Sequence, residues 1–570
     1  MSQTKYTIGV DYGTESGRVV LIDVADGREV AEATHPYANG VITDRLPGTD
    51  IKLEPDWALQ DPQDYLAVLE QAIPQVLKVG GVDPAHIIGF GIDFTSATIM
   101  PTLADGTPLC FLPEWRANPH AWVKLWKHHA AQPEANKMTD VAQVMGYTFL
   151  ERYGEKVSSE WTLPKVWQTL NEAPELYEAA DRIIEAGDWI VWQLTGQEKR
   201  SAGMAGYKSF WSKREGYPPD DFFNALDPRL AQVVDHKFGR EVYPLGSKAG
   251  ALTTKAAQLT GLQPDTAVAI ANIDAHVSAA AGGIAEKVGR MVIIMGTSNC
   301  HLVTGETEHV VPGICGYVED GIVSGYLGYE AGQSCMGDHF AWFVKNCVPA
   351  AYTQEATARG MDIHQLLEEK AARLKPGESG LVALDWWNGN RSILVDVDLT
   401  GLLLGATLAT KPEEIYRALI EATAYGTRVI IENFEKNDVA VEDIVATGGL
   451  PGRNKLLMQI FADVTGRAIT VSGTSQGGAL GAAMHAAVAA GQAAGGYESI
   501  VEAGHYMVHL SDQVYQPNPE HQQIYDQLFA EYLTLYDYFG RGTNNVMKRL
   551  KQLKAQVRAA GQPQQMMNHA

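Results

Sequence analysis

The chain of 570 residues is too long to bury a single hydrophobic core, so we expect at least two large domains. Its formal net charge of −23 argues against a nucleic-acid partner, because nothing offsets repulsion from phosphate groups. The five cysteines include no CxxC pair, which favours a reducing cytoplasm over a disulfide framework or a zinc motif.

Residues 5–23, KYTIGVDYGTESGRVVLID, predict a β-hairpin with a glycine-rich turn. An apolar strand ends at Asp11, the turn contains Gly13, Thr14 and Glu15, and a second strand follows. Free N–H groups at such a turn can cradle an anion, and an adjacent carboxylate can hold Mg²⁺ through water. The pattern fits either a loop for ATP phosphates or an ordinary tight hairpin.

Two later stretches place polar groups next to apolar segments. The strand in AHIIGFGIDFTSAT ends at Asp93 and is followed by small hydroxylated residues that include Ser96. Sheets of α/β proteins bind ligands at such strand ends, although a polar strand cap has the same pattern. In AGYKSFW, Lys208 lies among aromatic and small residues. The alternative is a surface lysine whose stem covers apolar groups.

Asp274 follows the apolar strand TAVAIAN and precedes AHVSAAAGG, which predicts a small-residue helix. A carboxylate at a helix N-terminus is favoured in its ionised form and is available as a base. A helix-capping aspartate is the alternative interpretation.

Residues 288–305, VGRMVIIMGTSNCHLVTG, repeat the layout of the opening hairpin. An apolar strand leads to Gly296, Thr297 and Ser298, and a second strand returns. Two such hairpins suggest that the chain consists of two related halves, each supplying one phosphate loop. The repetition favours the phosphate-binding interpretation of both.

The second half contains three further features. Glu330 lies in GYLGYEAGQS, where a strand is expected to give way to a helix. In VATGGLPGRNKLL, Gly448 and Gly449 form an open turn against which a flat ring could lie, and Asn454 follows. Residues 479–496 are rich in alanine and glycine and are interpreted as a helix packed against a sheet, so no membrane partner is expected.

Neither a GxxxxGK[ST] loop nor the HRD and DFG motifs of protein kinases occur in the chain. The features that do occur resemble, in their order, the FGGY carbohydrate kinases of the sugar-kinase, actin and heat-shock ATPase superfamily. DYGTESGR is similar to the family's first phosphate motif, GTSNCH to its second and ATGGLPGRN to its adenosine motif. Residues 401–421 follow its C-terminal signature apart from Ala406 and Leu419, whereas WTLPKVWQTLNE matches the N-terminal signature only loosely.

The resemblance covers about residues 6–490 and implies an α/β fold with two actin-like (ribonuclease H-like) ATPase domains around a central cleft. We expect an N-terminal domain at 1–285, a C-terminal domain at 286–495 and a helical extension at 496–570. A homodimer is the assembly that the family suggests.

The resemblance also implies ATP and Mg²⁺ as cofactors, with Asp274 as the general base and Asp11 holding the metal through water. The likeness to one branch of the family is carried by the segments GYEAGQS, LDWWNGNR, GTSNCH and AGYKSFW. This likeness implies a ketopentose substrate, L-ribulose first, with D-ribulose, xylulose or a polyol as alternatives. An actin-like or chaperone-like ATPase is a further alternative, and it would need no sugar site. The expected sugar contacts are Ser96, Lys208, Asp274 and Glu330. The expected nucleotide contacts are Asp11, Gly13, Thr14, Glu15, Gly296, Thr297, Ser298, Gly448, Gly449 and Asn454. Glu15 stands where many relatives have a hydroxyl residue, which implies an indirect phosphate contact.

Overall fold

The computed structural model describes residues 4–560, so the ends of the expected ranges 1–285 and 496–570 lie outside the described residues. The strands are β1 (Tyr6–Tyr12), β2 (Ser16–Asp23), β3 (Glu29–Pro36), β4 (Leu59–Gln60), β5 (Ile87–Phe94), β6 (Ile99–Thr102), β7 (Val123–Lys124), β8 (Arg182–Glu185), β9 (Arg200–Ser201), β10 (Val242–Tyr243), β11 (Lys248–Ala251), β12 (Ala267–Ala269), β13 (Asn272–Ile273), β14 (Arg290–Met295), β15 (Asn299–Gly305), β16 (Gly316–Glu319), β17 (Leu327–Gln333), β18 (Val382–Leu384), β19 (Leu402–Leu404), β20 (Asp443–Thr447), β21 (Ile469–Ser472) and β22 (Leu510–Tyr515).

The α-helices are α1 (Pro62–Gly80), α2 (Gln132–Met145), α3 (Thr162–Glu172), α4 (Pro174–Ala179), α5 (Ala186–Thr195), α6 (Ala202–Ser209), α7 (Asp220–Leu226), α8 (Thr254–Thr260), α9 (Asp274–Ala281), α10 (Gly337–Cys347), α11 (Ala350–Ala358), α12 (Ile363–Ala371), α13 (Pro412–Lys436), α14 (Lys455–Thr465), α15 (Gly477–Ala490), α16 (Ile500–Met507), α17 (Pro519–Gly540) and α18 (Val546–Ala560). None of the helices within residues 4–560 is both long and apolar enough to cross a membrane.

Two large sheets share one topology. The first has the order β11-β12-β5-β1-β2-β3, and the second β16-β17-β15-β14-β20-β21-β22. In each, an antiparallel hairpin (β1–β2 or β14–β15) has a third antiparallel strand on one side, β3 or β17. Parallel strands lie on the other side, β5 and β12 or β20 and β21. This repeated order confirms the expected pair of actin-like domains.

Both predicted hairpins form, and for local reasons. The N–H of Gly13 donates to the carbonyl of Ser16 at 3.0 Å and closes the first turn. The N–H of Gly296 donates to the carbonyl of Ser298 at 3.0 Å and closes the second. Each turn follows a buried apolar strand, so its polar tip lies at the edge of a sheet.

The alanine- and glycine-rich helix α15 packs, as predicted, on a sheet, and that sheet is the first one. It lies across β1 and β5 at Gly9, Gly89 and Gly91, where a Cβ atom would overlap the helix backbone. On its other side, α15 crosses α9 closely at Gly481, against the backbone of Val277. The absence of side chains at these glycines lets the two helices cross between the sheets.

Residues between β5 and β11 add a helical region to the first half, with a core of its own. Trp161 and Trp167 belong to this core, and Trp189 lies in the core of the first sheet, so each is a packing residue. The region supplies α3, which carries Lys165, and α6, which carries Lys208.

The segment from residue 496, expected to be helical, also contains a strand. The helix before it, α15, falls within 286–495 but packs on the first sheet, that of the other half of the chain. Beyond it, Leu510–Tyr515 pairs with β21 as an edge strand of the second sheet. Helix α17 buries Tyr525, Phe529 and Tyr532 in the core of the second half. Apolar side chains at this spacing bury the helix against the domain instead of leaving it separate.

Candidate active site

Three carboxylates face one another at the edge of the first sheet. Asp11 of β1 and Asp93 of β5 are register partners in neighbouring parallel strands, so both side chains project to the same side. Asp274 is the first residue of α9, as predicted, and accepts a hydrogen bond from the N–H of Ala275 at 2.7 Å. Burial and the charge of Asp11 raise the pKa of Asp274 to about 7. A carboxyl group of that pKa can accept a proton near neutral pH.

Asp93 has no compensating donor. No N–H or hydroxyl group of the described residues reaches either of its buried carboxylate oxygens. Burial, Asp11 and Asp274 together raise the pKa of Asp93 well above its usual value. Buried oxygens without donors, set between two further carboxylates, match the chemistry of a hard divalent cation.

The carboxylates fit Mg²⁺ held through water. No group of three or more His, Cys, Asp or Glu side chains within residues 4–560 converges closely enough to bind a metal directly. Mg²⁺ keeps several of its waters in proteins, so oxygens that stand back from a common centre suit it. Asp11 and Asp93 are therefore the candidate residues for holding such a hydrated ion.

A second polar cluster joins the two halves of the molecule. The Nζ of Lys208, in the last turn of α6, lies 3.9 Å from the Oε2 of Glu330 on β17. The Nε2 of His276 on α9 lies 3.2 Å from the same oxygen. The side chain of Lys208 is only 12% exposed, so it is not the surface lysine of the alternative interpretation. Burial raises the pKa of Glu330, but Lys208 and His276 outweigh it and hold the value at about 2.

Ser96 lies in the short loop between β5 and β6, and its neighbours in this loop are held by hydrogen bonds. Ala97 adopts a positive φ of 54°, and its carbonyl accepts from the Nζ of Lys165 at 2.7 Å. The hydroxyls of Thr95 and Thr98 lie 2.9 Å apart. A non-glycine residue at positive φ is strained and needs such support.

The first hairpin is held from outside by two side chains. The indole N–H of Trp126 donates to the hydroxyl of Thr14 at 3.2 Å, and the amide of Gln60 donates to its carbonyl at 2.7 Å. No described group accepts from the N–H of Thr14 or Glu15. The side chain of Glu15 is exposed. A braced turn with free N–H groups suits an anionic ligand.

The second hairpin lies beside the start of α10. The carbonyls of Gly296 and Thr297 accept hydrogen bonds from the N–H groups of Gly337 and Met336, at 3.0 and 2.9 Å. Separately, the N–H groups of Thr297 and Ser298 have no acceptor among the described residues. This is the same free-donor arrangement as in the first hairpin.

The expected adenosine turn packs against the second hairpin. Gly448 has a φ of +102°, and a Cβ there would lie 2.5 Å from the carbonyl oxygen of Met295, at the end of β14. Gly449 borders open space. Asn454 caps α14 by accepting from the N–H of Leu457 at 2.8 Å, so at least one of its side-chain atoms has a structural role.

The N-terminus of α15 connects these parts into one site. A Cβ at Gly477 would lie 3.4 Å from the hydroxyl of Thr447, the residue before Gly448. A Cβ at the next residue, Gly478, would lie 3.2 Å from the Cγ of Asp11 and 3.4 Å from the Oδ2 of Asp93. Consecutive glycines therefore touch the carboxylates of the first half and the glycine turn of the second. The structure brings the two sides of the predicted cleft together here.

Sequence reasoning missed or left open several of these residues. The sequence fits Asp93 either as a ligand-binding residue or as a polar strand cap. Its register with Asp11 favours the ligand-binding interpretation. His276 and Gly478 were not singled out for this site, because their partners are distant in the chain. The usable signal for Asp93 was that two parallel strands of one sheet each end in an aspartate.

Comparison with known proteins identifies the class of protein to which this chain belongs. The chain belongs to the FGGY family of carbohydrate kinases. The model of the family's N-terminal domain matches residues 6–282, and that of its C-terminal domain matches residues 291–490. The protein is therefore a sugar kinase, and its family uses ATP as phosphoryl donor.

Individual relatives show which carbohydrate kinases this chain is similar to. The chain is 56% identical over 552 residues to a protein named ribulokinase from Halalkalibacterium halodurans, covering 97% of this chain and 98% of the relative. It is 48% identical over 553 residues to a ribulokinase from Mycolicibacterium smegmatis, covering 97% of each. Among solved structures, xylulose kinases from Rhodospirillum rubrum and Lactobacillus acidophilus both superpose with a TM-score of 0.76. The first is 21% identical and covers 93% of this chain and 98% of that one; the second is 19% identical and covers 94% and 99%. At such identities the structures show the fold alone.

Proposed function

We propose that the protein transfers the γ-phosphoryl group of ATP to the terminal (C5) hydroxyl of L-ribulose. The observation that carries the proposal is the similarity of nearly the whole chain to ribulokinases, at 48 to 56% identity. It is supported by a carboxylate cluster in the first half and by a polar cluster, Lys208, His276 and Glu330, that joins both halves.

In the proposed reaction, Asp274 takes the proton of the attacking hydroxyl. Its pKa of about 7 lets it hold that proton and release it again near neutral pH. Phosphoryl transfer depends on in-line placement and charge stabilisation more than on covalent chemistry from the protein. Asp274 therefore both positions the hydroxyl at the start of α9 and accepts its proton.

The nucleotide would lie between the two hairpins. Gly13, Thr14 and, less directly, Glu15 would contact its phosphates from the first half. Gly296, Thr297 and Ser298 would contact them from the second half, and Gly448, Gly449 and Asn454 would border the adenosine. Asp11, together with Asp93, would hold Mg²⁺ through water; when bound, the ion neutralises phosphate charge. Closure of the cleft would exclude water and limit hydrolysis of ATP.

The sugar would bind against Ser96, Lys208 and Glu330, next to Asp274. A polyhydroxylated substrate loses water on entry, so its pocket must supply paired donors and acceptors. The Lys208–Glu330 pair offers both, and it links α6 of the first half to β17 of the second. Binding of the sugar would therefore favour the closed arrangement of the halves.

Three further proposals accompany the activity. A cytoplasmic location agrees with the five free thiols, Cys110, Cys300, Cys315, Cys335 and Cys347. No nucleic-acid partner is proposed, given the net charge of −23. A homodimer is the proposed assembly, and light scattering of the purified protein measures it.

The test is sugar-dependent formation of ADP with a panel of L-ribulose, D-ribulose, xylulose, glycerol and a reaction without sugar. We expect the highest kcat/KM with L-ribulose and little ADP without sugar. A higher kcat/KM for another sugar would identify that sugar as the preferred substrate and leave the protein a carbohydrate kinase. ADP formation that no sugar changes would contradict a sugar kinase.

A further inference from the structure

Arg391 ends the sequence LDWWNGNR and lies beside the sugar pocket without having been assigned to it. Its side chain crosses β17 at Gly332, where a Cβ would lie 3.0 Å from its Cδ and 3.4 Å from its Nη1. Glu330 is two residues earlier on β17, so it projects from the same face of the sheet. Cys300 of β15 is paired with Gly332. Arg391 therefore covers the face of β17 from which Glu330 projects.

The guanidinium of Arg391 has no partner within the described part of the chain. No hydrogen bond or ion pair among residues 4–560 includes its side chain, although the side chain is partly buried. Burial lowers the pKa of Arg391, but Glu160, Cys315, Cys300 and Glu330 outweigh it and hold the pKa above its usual value. A charged group with five donors, taken partly out of water and left unpaired, is costly unless a ligand supplies acceptors.

Arg391 and Asp274 each lie near Glu330. Asp274 interacts with Asp11, Lys208 and Glu330, whereas Arg391 interacts with Glu160 and Glu330. Glu330 is the carboxylate that the two share. A sugar with its terminal hydroxyl at Asp274 and a contact to Glu330 would have its other end on the face of β17 that Arg391 covers.

The chemistry of the substrate says which end reaches Arg391. A 2-ketopentose can be phosphorylated at C5 only in its open-chain form, because a furanose ring would use the C5 oxygen. Its C2 carbonyl is then free, next to the C1 hydroxyl. The two oxygens on adjacent carbons match the parallel donors of a guanidinium fork.

We propose that Arg391 is a specificity residue that donates hydrogen bonds to the C1 hydroxyl and C2 carbonyl oxygens of an open-chain 2-ketopentose. This inference rests on the proposed function. It adds to the pocket a recognition point for the ketose end, opposite the hydroxyl that is phosphorylated.

The alternative role for Arg391 is that of a latch, meaning a charge that holds the two halves together without contacting the sugar. Glu160 precedes α3 in the first half, and Arg391 belongs to the second half, so attraction between them could close the cleft without touching the sugar. Glu160→Gln removes that attraction and leaves the guanidinium in place. It therefore separates the latch from ligand recognition.

The experiment compares Arg391→Met, Arg391→Lys and Glu160→Gln with the unaltered protein, using L-ribulose and 1-deoxy-L-ribulose, which lacks the C1 hydroxyl. The matched control is Arg373→Met, which removes an exposed arginine that pairs with Glu369. Steady-state KM and kcat are measured for each sugar and for ATP.

For Arg391→Met we expect the KM for L-ribulose to rise about tenfold or more, the scale of a lost charged hydrogen bond, with the KM for ATP within twofold. The preference for L-ribulose over its 1-deoxy analogue should shrink to near one in this variant. Arg391→Lys should restore part of that preference, and it decides the matter if Arg391→Met does not fold. Glu160→Gln and Arg373→Met should keep the preference.

An unchanged preference between the two sugars in Arg391→Met would overturn the assignment. So would a Glu160→Gln variant that reproduces the full loss, which would identify a latch. Failure of the proposed function is a different result: the unaltered protein would then show no L-ribulose-dependent ADP formation.

Discussion

Replacing Gly478 by alanine tests whether the present positions of Asp11 and Asp93 matter for the reaction. The added Cβ would lie 3.2 Å from the Cγ of Asp11 and 3.4 Å from the Oδ2 of Asp93. The first distance is shorter than ordinary van der Waals contact, so the carboxylate must move by a few tenths of an ångström. Because a misplacement of about 1 Å costs about 10²-fold in rate, a shift of this size should lower kcat roughly four- to tenfold.

The same substitution should not harm folding. Gly478 lies in the first turn of α15, where alanine is favoured over glycine by about 0.5–1 kcal/mol. Gly504→Ala in α16 is the matched control, because its added Cβ would meet nothing closer than the Cγ of Glu286 at 3.7 Å. Urea unfolding should show both variants at least as stable as the unaltered protein, with kcat reduced only in Gly478→Ala. A Gly478→Ala enzyme of normal kcat would refute the view that this carboxylate geometry is needed.

Three other predictions follow from single side chains. Lys208→Ala should raise the KM for the sugar far more than the KM for ATP, because its Nζ faces Glu330, and equal rises would remove Lys208 from the pocket. Lys165→Met should lower the urea midpoint, because two buried carbonyls, of Ala97 and Leu125, lose their donor at about 1–3 kcal/mol each; an unchanged midpoint would contradict this. Burial lowers the pKa of His485 to about 4. Below about pH 6.5 the unfolded chain binds a proton at this histidine, whereas the folded protein keeps the ring neutral. The free energy of unfolding therefore falls as the pH drops from about 6.5 towards 4. His485→Leu should therefore lose about 2 kcal/mol less stability than the unaltered protein between pH 7 and 5, and equal losses would count against it.

Local patterns predicted the elements well because their causes are local. The two hairpins follow from apolar strands that end in glycine and hydroxyl residues, and both turns close as expected. Asp274 at the first position of α9 follows from a strand that gives way to a small-residue helix. The alanine-rich run also formed a helix packed on a sheet.

What the sequence could not show was which distant elements meet. The pairing of Asp11 with Asp93 depends on the register of two parallel strands, which no single strand encodes. Lys208 and Glu330 come from different halves, so their proximity depends on how the halves pack. The same applies to α15, whose composition predicts close packing but does not say on which sheet.

The central claim is that Asp274 accepts the proton of the sugar hydroxyl that receives the phosphoryl group. Its most direct test is kcat for L-ribulose-dependent ADP formation in Asp274→Asn, with thermal unfolding as the check on folding. Loss of a general base should lower kcat by about 10²- to 10⁴-fold while the protein stays folded. A folded Asp274→Asn enzyme with near-normal kcat would contradict the assignment of the base.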